Sequence, residues 1–342
     1  MIKNKALLGI LLFISSLFSS YSCSTDKEKE TDDANSKKTA RVVGYLSSDN
    51  FSKITSIQFC KLTHLNLSFA NPDNTGNLIF EGDIDAVIKY VKGVNPNIKI
   101  CISVAGGVIS AEQAANWSFL IDKPENRPEF IKKLVNFTES HKLDGVDVDL
   151  EWDAVTVGYS GFVIELKNAL KAKNKLITAA LPNNTRFTHI NAEALNAFDF
   201  INIMAYDMTG PWAPDKPGQH SSFNDAKLGI DFWNKLQSVP KEKLTLGVPF
   251  YGYNFTDPIV TSATYGQIVK AGIQFADQDE LGKIYYNGRP TIEQKVQLAS
   301  ETTGGIMIWE IAQDSFDEYS LLDVIHKKYT KLGFVTTDLC GN

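Results

Sequence analysis

The stretch LDGVDVDLEW, Leu143 to Trp152, sets Asp144, Asp147, Asp149 and Glu151 into an otherwise apolar, strand-like run. Successive side chains of a strand point to opposite faces. Val146, Val148 and Leu150 therefore share one face, and Asp147, Asp149 and Glu151 share the other. The apolar face suits packing against helices. The acidic face has to look into surroundings that make use of carboxylates.

Outward from this stretch the chain alternates strand and helix signals. Strand patterns run over residues 41–46, 63–70, 98–107, 143–152, 175–182, 199–206, 243–252 and 304–311. Apolar residues at helical spacing run over 83–94, 127–141, 159–173, 292–300 and 319–329. Eight strands with helices between them predict a single (β/α)8 TIM barrel. The stretch from about Asn254 to Pro290 is longer than an ordinary loop and predicts a reduced insertion after strand seven. In such a barrel the acids of LDGVDVDLEW line the interior and the rim.

The composition agrees with a large globular core: 342 residues, 43% hydrophobic and 22% charged, net charge -6. No cluster of Lys and Arg forms a basic stripe, which argues against nucleic acid as a partner. Lys3 and Lys5 precede the apolar run Ala6–Phe18, too short for a membrane span and suited to a secretory signal. Residues 1–22 are read as a signal peptide. SSYSCS resembles a bacterial lipoprotein cleavage site, with Ser22 before Cys23, although Ser20 stands where Leu is preferred. Cys23 is then a lipid anchor, the partner is a membrane, and the location is the bacterial cell envelope, at the outer membrane or cell surface. The alternative is an ordinary signal peptide with an incidental cysteine. Residues 23–39 are polar and charged and read as a disordered tether, with the barrel over 40–335. Of the other cysteines, Cys101 lies in an apolar strand pattern and is expected as a buried free thiol. One disulfide among Cys60, Cys101 and Cys340 is possible, with its pairing open.

Active residues of these barrels gather at the C-terminal ends of the strands. The fourth strand ends in Asp149 and Glu151, the sixth in MAYD (Met204–Asp207), and the eighth in Trp309 and Glu310. The third ends in SVAGG (Ser103–Gly107), whose paired glycines would let backbone approach a ligand closely.

DGVDVDLEW resembles the active-site strand of glycoside hydrolase family 18, the chitinase family, written D-x-x-D-x-D-x-E. Asp144, Asp147, Asp149 and Glu151 stand at the four acidic positions. MAYD resembles the family's M-x-Y-D motif, GVPFYG its seventh strand and GGIMIWE its eighth; SVAGG resembles S-x-G-G with one extra residue. The resemblance covers about residues 41–330, all eight strands. The family's full α+β insertion after strand seven has too little room here, which implies a shallower cleft.

Cleaving a glycosidic bond requires a general acid to protonate the leaving oxygen, and Glu151, at a strand tip, is the candidate. Carboxylates crowded together raise one another's pKa, which keeps Glu151 protonated near neutrality. The resemblance implies a retaining, substrate-assisted route in which the sugar's own 2-acetamido carbonyl attacks the anomeric carbon. It implies that Asp149 orients the acetamido group with Asp147 behind it, and that Tyr206 donates a hydrogen bond to its oxygen. Asp207 helps hold the sugar and Trp309 forms an apolar floor. Met204, Tyr45, Phe69 and Trp212 are candidates for further sugar contacts. This route requires neither a metal nor a cofactor.

The substrate class is an N-acetylglucosamine-containing oligo- or polysaccharide, chitin or chitooligosaccharides. An endo-β-N-acetylglucosaminidase acting on N-glycan cores and a non-catalytic sugar-binding protein are the alternatives. Retention of Glu151 argues against the latter. A calcium loop fails on spacing, because valines alternate with the acids and no Gly follows the third Asp. The five histidines show no metal-ligand spacing. Trp152 and Trp233 are read as packing residues, and Trp117 falls in an unassigned loop.

Overall fold

The computed structural model describes residues 38–335 and Cys340. Eight strands pair in parallel in chain order: Arg41–Ser47, His64–Pro72, Lys99–Ala105, Gly145–Asp149, Leu176–Pro182, Phe200–Met204, Leu244–Pro249 and Gly305–Trp309. The first pairs with both the second and the eighth, Val43 beside His64 and Met307, so the ring closes. The fold is a (β/α)8 barrel. A short extra strand, Leu78–Ile79, lies antiparallel on the end of the second strand, outside the ring.

The two faces of each strand have different fates. Outward side chains such as Val146, Val148 and Leu150 join one apolar layer with Phe130, Leu134, Phe162 and Leu166 of the surrounding helices. Each such side chain, fully buried, contributes roughly 1.5–3 kcal/mol. Inward side chains form a separate and smaller cluster of Val43, Tyr45, Ala180, Phe200, Tyr206 and Met307. The polar inward positions (Asn66, Ser103, Asp147, Thr178, Asn202 and Thr245) are all buried.

Helices Ile84–Val94, Arg127–Ser140, Tyr159–Lys171, Arg289–Thr302 and Leu321–Lys331 follow the sequence periodicity closely. Others escaped it. Ala111–Ile121 begins on a capping box, Ser110 with Gln113, and Phe223–Asp231 on another, Ser222 with Asp225. Trp117, read as a loop residue, is buried in the first of these, its ring nitrogen donating to Asn71 Oδ1 at 2.8 Å. After the first strand the chain makes 3-10 turns, Ser48–Ser56 and Phe59–Lys61, in place of an α-helix.

Strand seven is shorter than the pattern over 243–252. It ends at Pro249, and Tyr251–Asn254 belongs to a four-stranded antiparallel sheet with Thr261–Thr264, Ile284–Tyr285 and Glu280–Leu281. The switch occurs at Phe250, whose N–H donates to Trp309 while its carbonyl accepts from Tyr265. This sheet with helix Tyr265–Ala271 is the reduced insertion.

Cys60 and Cys340 form a disulfide, their α-carbons 5.2 Å apart, and Cys101 is a buried free thiol. The signal segment, Cys23 and most of the tether lie outside the described residues. No helix among the described residues is long and apolar enough to cross a membrane.

Candidate active site

Strand register assembles the first part of the site. Asp147 sits beside Ser103 of the third strand and Thr178 of the fifth. All three point inward, so both neighbours reach its carboxyl: Ser103 Oγ donates to Oδ2 at 2.8 Å and Thr178 Oγ1 to Oδ1 at 2.5 Å. Tyr45 OH donates to Oδ2 at 2.6 Å, and Asn202 Nδ2 donates to Tyr45 OH at 3.1 Å. Burial pushes the Asp147 pKa up, and these donors oppose the rise without cancelling it.

Asp149, the next inward residue, is almost completely buried, and its Oδ1 has no hydrogen-bond partner within the protein. Burial, then Glu151 and Asp147, hold its pKa well above the usual carboxylate range. Glu151 lies just past the strand, at the start of the turn Trp152–Ala154. Burial, then the charge of Asp207, push its pKa up to about 7. Its carboxyl packs on Gly107, where an added Cβ would stand 2.6 Å from Oε1. Gly106 has a φ of +90°, and a Cβ there would meet the Phe69 ring at 2.8 Å. The paired glycines thus make room for Glu151 and Phe69, a different use from the ligand approach expected of them.

The end of the sixth strand supplies Met204, and the loop just past it Tyr206 and Asp207. Met204 is half-buried against the interior apolar cluster. Tyr206 is buried, its hydroxyl 3.8 Å from Met307 sulfur, a weak acceptor that leaves the O–H available. Burial, then Asp149, push its pKa up and keep it a neutral donor. Asp207 has the left-handed φ of 65°. Its Oδ1 accepts from Tyr251 OH at 2.5 Å and Tyr253 OH at 3.0 Å, with His220 Nδ1 3.3 Å away.

Trp309 is half-buried, stacks on Phe69 with centroids 5.4 Å apart and an interplanar angle of 22°, and tilts against Tyr45 at 5.5 Å. Trp212, 60% exposed, meets Tyr253 edge-on at 5.7 Å. Two expectations are corrected. Tyr45 is not a surface for sugar: it is 1% exposed and its hydroxyl is spent on Asp147. Trp152 is not a packing residue: it is 65% exposed at the rim, edge-on to Phe187 at 6.0 Å, because a φ of 48° swings it out of the strand. Trp233 is buried as expected, donating to Pro182 O at 2.8 Å.

Thr178, Asn202, His220, Tyr251 and Tyr253 were not anticipated. Tyr251 and Tyr253 had a signal, since their two-residue spacing puts both on one face of a strand. His220 had none. Glu310 faces away from this cluster: it is buried and accepts from Asn50 Nδ2 at 2.6 Å, and burial pushes its pKa up to about 7. Among the described residues no group of His, Cys, Asp and Glu is placed to hold a metal ion.

A closed parallel barrel with acids stacked inside its fourth strand and an aromatic floor at its C-terminal rim is the architecture of glycoside hydrolase barrels. The chain belongs to glycosyl hydrolases family 18, whose family model matches residues 41–314. It is 73% identical to the GH18 chitinase ChiB from the chitin utilization locus of Flavobacterium johnsoniae, over 89% of this chain and 98% of that one, with a TM-score of 0.87. A chitinase from Bacteroides thetaiotaomicron is 31% identical over 85% of this chain and 96% of that one, with a TM-score of 0.73. Among curated proteins, a chitinase-like effector of Moniliophthora roreri is 29% identical over 61% of this chain, which spans 57% of that protein's length.

Proposed function

We propose that this chain hydrolyses β-1,4 bonds next to N-acetylglucosamine in chitin or chitooligosaccharides, by a retaining, substrate-assisted route. The observation that carries the reading is Asp149 Oδ1, a buried acceptor without a protein partner beside Glu151. An acetamido N–H is a group that satisfies it. Buried acceptors left unpaired are costly, so a substrate that supplies the donor binds in the orientation the site dictates.

Glu151, with its pKa at about 7, holds a proton near neutrality and delivers it to the leaving oxygen. The substrate's acetamido oxygen closes on the anomeric carbon as the bond to the leaving group breaks. Asp149 holds the acetamido N–H, and the Tyr206 hydroxyl donates to the acetamido oxygen. Asp147, fixed by three hydroxyls, lies behind Asp149 and disfavours a second negative charge there. Glu151, now a carboxylate, takes a proton from water as that water opens the cyclised sugar, giving net retention. Asp207 holds the sugar, Trp309 supports its apolar face, and Phe69 backs Trp309. Trp212, Met204 and the newly placed Trp152 extend the contact surface.

The identity with a chitinase from a chitin utilization locus supports the substrate class. The disulfide supports an oxidising location, and with SSYSCS it fits a signal-directed lipoprotein anchored through Cys23 in the bacterial envelope. Incubating the chain with chitooligosaccharides and, separately, a high-mannose glycopeptide, with products read by mass, tests the activity. Cleavage of the glycopeptide alone would replace this reading with the endo-β-N-acetylglucosaminidase one, and binding without cleavage with the lectin one. Release of a Cys23→Ala variant from the membrane fraction tests the anchor.

A further inference from the structure

Lys295, on helix Arg289–Thr302, is completely buried. Its amine donates to Ser221 O at 2.8 Å, Ser221 Oγ at 2.7 Å and Asn287 Oδ1 at 2.7 Å. All three are acceptors in this arrangement. Ser221 Oγ commits its own proton to Ala205 O at 2.6 Å, and Asn287 Nδ2 donates to Ser221 O at 2.9 Å. Three acceptors around one nitrogen require three protons, so the group is an ammonium, although burial pulls its pKa down to about 7. A buried cation contacting only neutral oxygens is an expensive arrangement, and its position suggests what it does.

Ser221 belongs to the return limb of the loop that leaves the sixth strand. That limb is tied to the outgoing one by several contacts: Ser221 Oγ on the Ala205 carbonyl, Met208 N on His220 O at 3.0 Å, His220 Nδ1 beside Asp207, and Thr209 Oγ1 on Lys216 O at 2.7 Å. Of these, the bond from Ser221 is the one made directly to the peptide before Tyr206. Ala205 immediately precedes Tyr206. The chain of contacts Lys295–Ser221–Ala205 therefore ends on the peptide that carries the Tyr206 ring.

We propose that Lys295 is a positioning residue for hydrolysis: its ammonium fixes Ser221 against the Ala205 carbonyl and so holds Tyr206 in place for the acetamido oxygen. The proposal rests on the hydrolase reading above. It requires Lys295 to act through Tyr206 and not simply to staple a helix to a loop.

The test is a double-mutant cycle on the full chain with chitotetraose, joined to hydrogen exchange, which needs no substrate. Lys295→Met is expected to lower kcat about tenfold or more while KM changes less than about threefold. In a Tyr206→Phe background the same substitution is expected to change kcat by less than about twofold. Amides of residues 205–208 are expected to exchange about tenfold faster in Lys295→Met. Equal losses in both backgrounds, or an unchanged kcat in a folded variant, overturn the proposal. If Lys295→Met does not fold, Ser221→Ala, which removes the link to Ala205, is read by the same criteria. A wild-type chain inactive on the oligosaccharide sinks the hydrolase reading, and exchange then decides the positioning claim: unchanged exchange overturns it.

Discussion

Glu151 lies directly on the backbone of Gly107, close enough that a methyl group there would stand 2.6 Å from Oε1. The glycine is thus a mould for the acid. Gly107→Ala should leave the barrel folded and displace the Glu151 carboxyl. Misplacing a catalytic group by about 1 Å costs on the order of 100-fold in rate. The check is kcat on chitotetraose beside the melting temperature; near-wild-type turnover would show that the acid does not need this seat.

The acid also sets a pH dependence. In the proposed route Glu151 must be protonated to donate, and its pKa is raised to about 7. Activity should therefore fall above about pH 7, roughly tenfold per unit. Removing the Asp207 charge removes one cause of the rise. In Asp207→Asn the alkaline limb should move to lower pH, whatever happens to the maximum rate. A limb that stays in place would mean that another group controls it.

Stability should depend on pH in the same direction through groups outside the reaction. Glu310 and Asp314 are buried and both are raised to about 7. A carboxyl raised in the fold contributes stability that is fully present below its unfolded value and lost as pH climbs through the folded one. The melting temperature should fall between about pH 5 and pH 8. Glu310→Gln keeps an acceptor for Asn50 Nδ2 and cannot ionise, so it should fall less. An equal fall in the variant would remove Glu310 from the account.

Asp149 gives a test of the route. Burial, Glu151 and Asp147 raise its pKa, which disfavours the carboxylate a covalent route would need, and in the proposed route the substrate supplies the nucleophile instead. A thiazoline analogue of N-acetylglucosamine should inhibit well below substrate KM, as ligands resembling a reaction intermediate do. Substrate deacetylated at the reacting sugar should not be cleaved. A covalent glycosyl adduct trapped on Asp149 would overturn this route.

The sequence made the barrel legible because alternation and helical periodicity are local, and the acids stood out against an apolar strand. Contacts across the barrel were not legible. Nothing local links Tyr45 to Asp147, 102 positions later, or His220 to a carboxylate on the facing limb of its own loop. Tyr45 was therefore placed on the wrong side of the carboxylate. Trp152 differs for another reason: period-two reasoning assumes that the strand continues, and the strand ends at Asp149, with Glu151 already opening the turn that holds Trp152. The glycines of SVAGG were recognised as points of close approach, but not what approaches them.

The bond between Cys60 and Cys340 spans 280 residues of sequence. It cannot form until residue 340, which lies beyond all eight barrel strands, has been synthesised. It therefore records completion and does not guide the path there: a chain stalled or truncated before residue 340 leaves Cys60 as a free thiol. Labelling of that thiol would distinguish unfinished molecules from finished ones.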